Sequence, residues 1–442
     1  MKLAPPAAEL LLAIEEHRAG VGVIGLGYVG LPLAIALAGK GFSVLGFDVD
    51  RAKIDSIAAG KSFIRHVGSE GLAKAVEAGR LAATDDFDRL GEPDVLLICV
   101  PTPLTEDREP DLSYVLSTAR QIAPRLRRGQ LVVLESTTYP GTTEGELREV
   151  LDESGLVLGE DYYLAYSPER ENPGSARFST SQIPRVVGGV DEASGRLADA
   201  FYRQLAPSTI RVSSARTAEA TKLVENIFRA VNIALVNELK MVYDRMGIDI
   251  WEVLDAAETK PFGFMRFDPG PGWGGHCIPI DPFYLTWKAR QHGVTPRFIE
   301  LAGEVNVEMP RYVVRKLEEA LEAKSQSLDG SRILLLGLAY KKDVADPRES
   351  PAFEILELLL RAGAEVSYHD PYIPEAPTMR SWPDLPALRS QPLTAETLRN
   401  VDAAVIVTDH SDVDYELVAR EAPVVVDSRG VYRRSSAVVI QA

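Results

Sequence analysis

Two stretches of this 442-residue chain carry residues whose types and spacing suit chemistry. One is GPGWGGHCIPIDPFYL, residues 270–285, where four glycines and three prolines in sixteen residues rule out a helix or strand interior. It reads as a rigid loop that lets backbone approach a ligand closely, and it presents Cys277. A thiolate there is a nucleophile able to carry a covalent intermediate. The other cysteine, Cys99, lies in the apolar run VLLICVP and reads as a buried core thiol. His276 either favours the thiolate or serves as a structural loop histidine.

The second stretch is GLGYVG, residues 25–30. Gly25, Gly27 and Gly30 permit a tight turn, close approach of backbone to a pyrophosphate and close helix–strand packing. A helix N-terminus there supplies free N–H groups and positive dipole. An apolar strand precedes the turn, a helical pattern with Pro32 in its first turn follows, and Asp48 ends the next strand about twenty residues on. An acid at that place accepts from the adenosine ribose hydroxyls and disfavours the extra phosphate of NADP, so the expected cofactor is NAD. The plainer alternative is a glycine turn that holds no dinucleotide.

Positioning these residues takes more than one core, because a chain of this length implies two or three domains. Apolar residues make up 45% and charged residues 25%, the balance of a globular protein. The net charge of -16 repels nucleic acid and anionic lipid, so neither is an expected partner. Two distant cysteines make neither a disulfide framework nor a zinc pattern, and no metal is expected. They fit a reducing compartment, and no apolar run approaches the roughly 20 residues of a membrane helix. The first twenty residues lack a signal-peptide layout because Glu9, Glu15 and Glu16 interrupt them. They read as a short amphipathic helix with Leu11, Leu12 and Ile14 on its apolar side, and the expected location is the cytoplasm.

Residues 21–24, 44–47, 95–100 and 131–134 read as buried strands, each followed by a helical pattern. That alternation implies a parallel sheet covered on both faces. Residues 217–246 contain no Gly or Pro and have helically spaced apolar positions, which predicts one helix of roughly 30 residues, near 45 Å. A helix that long links two domains or makes a subunit interface. A further helix is expected around 312–321, then a polar linker, AKSQSLDG, then a second strand–helix series with strands at 332–336, 365–368, 403–407 and 423–426. The expected fold class is α/β, with two Rossmann-like doubly wound parallel-sheet domains joined by a helical middle domain with one long helix. The expected boundaries are an N-terminal helical extension over 1–20, an NAD-binding domain over 21–210, a central helical domain with the cysteine loop over 211–325, and a nucleotide-sugar domain over 326–442.

From residue 21 to residue 431 the motifs follow, in order, those of a known family. They are GLGYVGLP (25–32), VPTP (100–103), ESTTYPGTT (135–143), YSPERENPG (166–174), an ExxKxxxN pattern at Glu219, Lys222 and Asn226, GGHCIPIDP (274–282), GLAYKKDVADPRESP (337–351) and DSRG (427–430). The chain resembles the UDP-glucose/GDP-mannose dehydrogenase superfamily. Within it, the His before the Cys is similar to the branch acting on UDP-N-acetylhexosamines.

The resemblance implies NAD-dependent oxidation of a sugar alcohol to a carboxylate. After one hydride leaves, a thiolate at Cys277 can add to the aldehyde, and the thiohemiacetal can lose a second hydride as a thioester that water releases. Lys222 and Asn226, whose i,i+4 spacing puts both on one helix face, suit the developing oxyanions. Asp281 and Glu169 are candidates for handling protons and the hydrolytic water, and Thr137 resembles the family's water-holding strand-end threonine. On the same grounds Gly25, Gly27, Tyr28, Val29, Gly30, Asp48, Arg51, Pro101, Thr102 and Thr137 would bind the cofactor. Glu169, Arg170, Lys222, Asn226, Lys260, Phe262, Gly274, Lys341, Arg348 and Arg429 would bind the UDP-sugar. Read without the family, Lys222, Glu169 and Asp281 would be ordinary surface residues. Arg348 is as well suited to an ion pair with Asp343, Asp346 or Glu349 as to a phosphate. Lys260, Phe262 and Phe264 resemble a loop over the sugar-phosphate, or are plain packing.

UDP-glucose members of the family carry a second acid shortly after SPE, where this chain has Asn172 and Pro173. ENPG followed by FSTSQIPRVVGG is similar to the UDP-N-acetylglucosamine enzymes more than to the UDP-N-acetylmannosamine ones. The rival readings are a 6-dehydrogenase for UDP-N-acetylmannosamine or UDP-glucose, a dehydrogenase that stops at one hydride, and a catalytically silent NAD or nucleotide-sugar sensor. The family and the long helix together imply a homodimer or higher homo-oligomer.

Overall fold

The computed structural model describes residues 3–64, 67–105, 107, 109–170, 182–275, 278–379, 381–433, 436 and 438–442. Two compact units divide the chain: Met1–Glu225 with Phe283–Val294, and Asn226–Pro282 with Thr295–Ala442. The stretch expected as a central helical domain is therefore shared between the units. The helix Ala215–Met246, 32 residues long, begins in the first and ends in the second.

The first unit holds an eight-stranded sheet. Its strands are β1 (Gly20–Ile24), β2 (Ser43–Phe47), β3 (Leu81–Thr84), β4 (Val95–Ile98), β5 (Leu131–Leu134), β6 (Tyr163–Tyr166), β7 (Arg185–Gly189) and β8 (Thr209–Arg211). Their spatial order is β3-β2-β1-β4-β5-β6-β7-β8. All neighbours are parallel except β6 and β7, which are antiparallel. Alternate residues of one strand enter two different cores: Val95 and Leu97 one, Leu96 and Ile98 the other. With both faces covered, the strand sequence needs no polar alternation, which is why these runs are continuously apolar.

The second unit holds β9 (Arg332–Leu336), β10 (Glu365–His369), β11 (Ala403–Ile406), β12 (Val425–Asp427) and β13 (Val439–Gln441), all parallel, in the order β10-β9-β11-β12-β13. Both sheets thus reverse direction beside their first strand, at β1/β4 and at β9/β11. Crevices for ligands open at the carboxyl ends of strands at such switch points. The doubly wound α/β class expected from sequence is the one observed, with β7 and β8, which run opposite to the other six strands, as the departure from an all-parallel sheet.

The two units repeat one device. Gly25 N–H donates to Phe47 O at 2.8 Å, and Gly337 N–H to His369 O at 2.9 Å. The acid after the second strand then accepts from the turn: Asp48 from Leu26 N at 2.8 Å, Asp370 from Leu338 N at 2.7 Å. Both glycines have positive φ, +91° and +90°, and at each a Cβ would lie 2.7 Å from a carbonyl oxygen just past the neighbouring strand, Cys99 O after β4 and Thr408 O after β11.

Two element expectations change. The N-terminal helix, Pro5–Glu15, buries Ala7, Leu10 and Ile14, whereas Leu12 is half exposed; the 7-10-14 spacing defines the inner face. The helix expected near 312–321 is the end of a longer one, Arg297–Glu322. Among the described residues no helix is long and apolar enough to cross a membrane.

Candidate active site

In the first unit the carboxyl ends of β1, β4 and β5 bring the glycine turn together with residues 99–103 and 135–143. A Cβ on Gly30 would lie 1.9 Å from Gly25 O, so that glycine is needed by the turn itself. A Cβ on Gly27 would meet no protein atom within 4 Å, which leaves its backbone open for a close-lying group such as a pyrophosphate. The helix Gly30–Gly39 starts there and turns its free N–H groups toward the same end. Tyr28 and Val29 lie in the turn.

Asp48 is buried and accepts from Leu26 N, Asp50 N and Lys53 Nζ, the last at 3.0 Å. A carboxylate has about four acceptor sites, so it can still take a ribose hydroxyl. Arg51 is ion-paired with Asp55 and Asp85 at 3.1 and 3.2 Å. Pro101 and Thr102 follow β4, and the Thr102 carbonyl accepts from Tyr284 Oη. Ser136 Oγ donates to Val100 O at 2.7 Å and laces this loop to the one carrying Thr137.

Lys222, on the long helix, is buried and donates to Glu169 O at 2.6 Å. One turn earlier, Glu219 is fully buried and ties the helix to the loop after Thr137. It accepts from Gly141 N at 2.5 Å, Thr143 N at 2.9 Å and Thr143 Oγ1 at 2.6 Å. Burial pushes its carboxyl up to about 7, against the lowering effect of those donors. Arg185, on β7, binds Glu169 Oε2 at 3.2 Å and the buried Glu135 at 3.1 Å. Arg170 pairs with Glu225 at 2.6 Å. Cys99 packs beside the first core, and burial pushes its thiol well up, so it is no ready nucleophile.

In the second unit Asn226 and Asp281 are both buried and hydrogen-bonded to each other at 2.5 Å. Arg229, one turn on, donates to Asn226 Oδ1 at 3.3 Å. The glycine loop leading to Cys277 is held at several points. Gly270 N–H donates to Asn237 Oδ1 at 2.9 Å, and Gly275 N–H to Arg348 O at 3.1 Å. Cβ atoms on Gly274 and Gly275 would lie 2.9 and 2.8 Å from Tyr340 side-chain atoms. The loop therefore packs directly on the GLAYKKDVADPRESP segment. Cys277 and His276 lie outside the described residues, as do Asn172 and Pro173.

Lys341 follows Tyr340, and burial and nearby Arg229 push its amine down. Arg348 forms a bidentate ion pair with Asp346, at 2.9 and 2.7 Å, the internal pairing that its sequence leaves open. Arg429 donates Nε–H to Val407 O at 2.7 Å and faces the backbone of Gly270. Lys260 lies 4.9 Å from the centre of the exposed Phe262 ring.

Residues 19–206 match the NAD binding domain of the UDP-glucose/GDP-mannose dehydrogenase family, 216–308 its central domain, and 334–434 its UDP binding domain. The chain belongs to that family. It is 39% identical to a Pseudomonas aeruginosa UDP-N-acetyl-D-glucosamine 6-dehydrogenase, over 82% of this chain and 85% of that one. It is 36% identical to a Pyrococcus horikoshii UDP-N-acetyl-D-mannosamine dehydrogenase, over 93% and 96%. The solved structure of the Pyrococcus horikoshii UDP-D-ManNAc dehydrogenase superposes with a TM-score of 0.85 at 34% identity, covering 96% of this chain and 98% of that one. The protein is thus a family dehydrogenase with an NAD binding domain and a UDP binding domain.

Sequence reasoning misses Glu135, Arg185 and Arg229 as neighbours of the site, and gives Glu219 no role. Arg185 sits in an otherwise apolar strand, RVVGG, and a charge in such a strand is the signal that it has a buried partner.

Proposed function

We propose that this family member oxidises C6 of a UDP-N-acetylhexosamine, UDP-N-acetylglucosamine foremost, to the uronic acid in two NAD-dependent steps through Cys277. The observation that carries the reading is the packing of the glycine loop before Cys277 on Tyr340 of the UDP binding domain, with the buried Asn226–Asp281 pair at its other end.

When bound at the glycine turn, NAD supplies the acceptor for each hydride. Asp281 and Glu169 are the groups for taking the hydroxyl proton. The Cys277 thiolate adds to the aldehyde carbon, and the new alkoxide takes a proton. Loss of hydride and that proton leaves a thioester. Water, held by Thr137, attacks the thioester; the carbon–sulfur bond breaks, the thiolate returns and the carboxylate leaves, with the two protons of the water released. Lys222 and Asn226 donate to the oxygen that bears charge in both additions. Lys222 spends one of its three N–H donors on Glu169 O, so two are left to serve that oxygen.

For the nucleotide, Lys341 and Arg429 supply positive charge in an acidic chain, and Lys260 with Phe262 covers the sugar-phosphate. Arg348 is committed to Asp346 and acts through the loop it braces. The long helix exposes Val224, Phe228, Leu235, Val242 and Met246, an apolar stripe that suits a homodimer in the cytoplasm.

Initial rates of NADH formation on UDP-N-acetylglucosamine, UDP-N-acetylmannosamine and UDP-glucose test the substrate. The highest kcat/KM is expected for the first. A preference for either of the others overturns that assignment.

A further inference from the structure

Behind Glu169 lies a buried charged cluster. Arg185 is 4% exposed at its side chain and stands between two carboxylates, Glu135 at 3.1 Å and Glu169 at 3.2 Å. Tyr202 closes the far end: its hydroxyl donates to the second oxygen of Glu135 at 2.5 Å, and its ring lies 5.4 Å from the Arg185 guanidinium. Arg185 also donates to Pro168 O at 3.4 Å. Three elements meet here: the end of β5 with Glu135, the start of β7 with Arg185, and the helix Glu192–Arg203 with Tyr202.

We propose that Arg185 is a positioning residue for Glu169, holding its carboxylate and the adjoining backbone in place from a buried anchor formed by Glu135 and Tyr202. This rests on the reading that Glu169 handles protons or the hydrolytic water.

The geometry argues for positioning. A buried arginine is costly unless its donors are used, and a planar fork can serve two carboxylates at once. Glu135 is itself almost fully buried, and its two oxygens are taken by Tyr202 and Arg185. Removing it would leave Arg185 bound only to Glu169 and the Pro168 carbonyl. Burial opposes ionisation of Arg185, but Glu169 and Glu135 outweigh it and keep the guanidinium charged. Burial likewise raises the Glu135 carboxyl, and Arg185 pulls it back.

The main chain carries the effect further. Glu169 O accepts the Lys222 ammonium, and Pro168 O accepts Arg185. A shift of Arg185 therefore moves the Glu169 carboxylate and the Lys222 anchor together. A displacement of about 1 Å in such a group costs on the order of 100-fold in rate. Lysine keeps the charge and loses the fork, so it cannot hold both carboxylates.

The test compares Arg185→Lys, Tyr202→Phe and Glu169→Gln in the full-length enzyme, by kcat, KM for NAD, melting temperature and the pH profile of kcat. R185K is expected to lower kcat on the order of 100-fold. Its KM for NAD stays within about twofold, its melting temperature falls because a buried carboxylate loses its partner, and its kcat–pH profile is displaced. Y202F is expected to show the same pattern more weakly, and it decides the question if R185K does not fold. Impaired E169Q beside unimpaired R185K and Y202F would overturn the positioning role alone. Full activity of E169Q would overturn the reading of Glu169, and the positioning role with it. Loss of NAD affinity in step with kcat would reduce Arg185 to a structural residue.

Discussion

Asn226 Nδ2 donates to Asp281 Oδ2 at 2.5 Å while Asn226 Oδ1 accepts from Arg229 at 3.3 Å. The two bonds fix the amide orientation, because only the nitrogen donates and only the oxygen accepts. A one-atom change tests this. In Asn226→Asp, two buried carboxylates would face each other, and one must protonate or move away. The expected result is a loss of about 1–3 kcal/mol in stability, with reduced kcat. Asp281→Asn keeps the volume but removes the proton acceptor, and kcat should fall by about 10²–10⁴-fold. Melting curves and steady-state rates check both; an N226D enzyme as stable as wild type would contradict the bond.

The glycines of the cofactor turn separate fold from binding. Gly30→Ala would drive a Cβ to 1.9 Å from Gly25 O and should destabilise the first unit. Gly27→Ala meets no protein atom within 4 Å and should leave the apo melting temperature unchanged. It should nevertheless weaken NAD binding, because the methyl occupies the space left for the pyrophosphate. Thermal shift with and without NAD distinguishes them: an NAD-induced shift of wild-type size in G27A would argue against that binding mode.

The sheets and the cofactor turn are legible in sequence for one reason: their signals are local. Strands buried on both faces announce themselves as apolar runs, and a glycine turn needs its glycines at fixed offsets. The strand β7 escapes a sequence reading because RVVGG is short and holds an arginine. What justifies that arginine is Glu135, fifty residues away, and Glu169. Lys222 alone reads as a solvated helix residue, since nothing nearby in sequence announces the Glu169 carbonyl that it meets. Leu12 falls on the outer side of its helix, against expectation, because Leu10, Leu11 and Leu12 are consecutive and only packing chooses among them.

Glu219 makes a prediction about pH. Its folded pKa, about 7, lies above the unfolded value of about 4.3. The folded state therefore binds its proton more tightly, and the stabilisation is complete below the unfolded pKa. It declines as pH rises toward about 7 and is flat above. Between pH 5 and 8 the wild type should lose on the order of 3 kcal/mol relative to Glu219→Gln. Denaturant midpoints of both proteins at the two pH values check this; parallel pH dependences would contradict it.

The central claim is that one active site oxidises the same carbon twice. Complete conversion of a limiting amount of UDP-N-acetylglucosamine, with NAD in excess, should yield two NADH per sugar and a nucleotide-linked uronic acid as the only sugar product. One NADH per sugar, with an aldehyde or ketone released, would contradict the account.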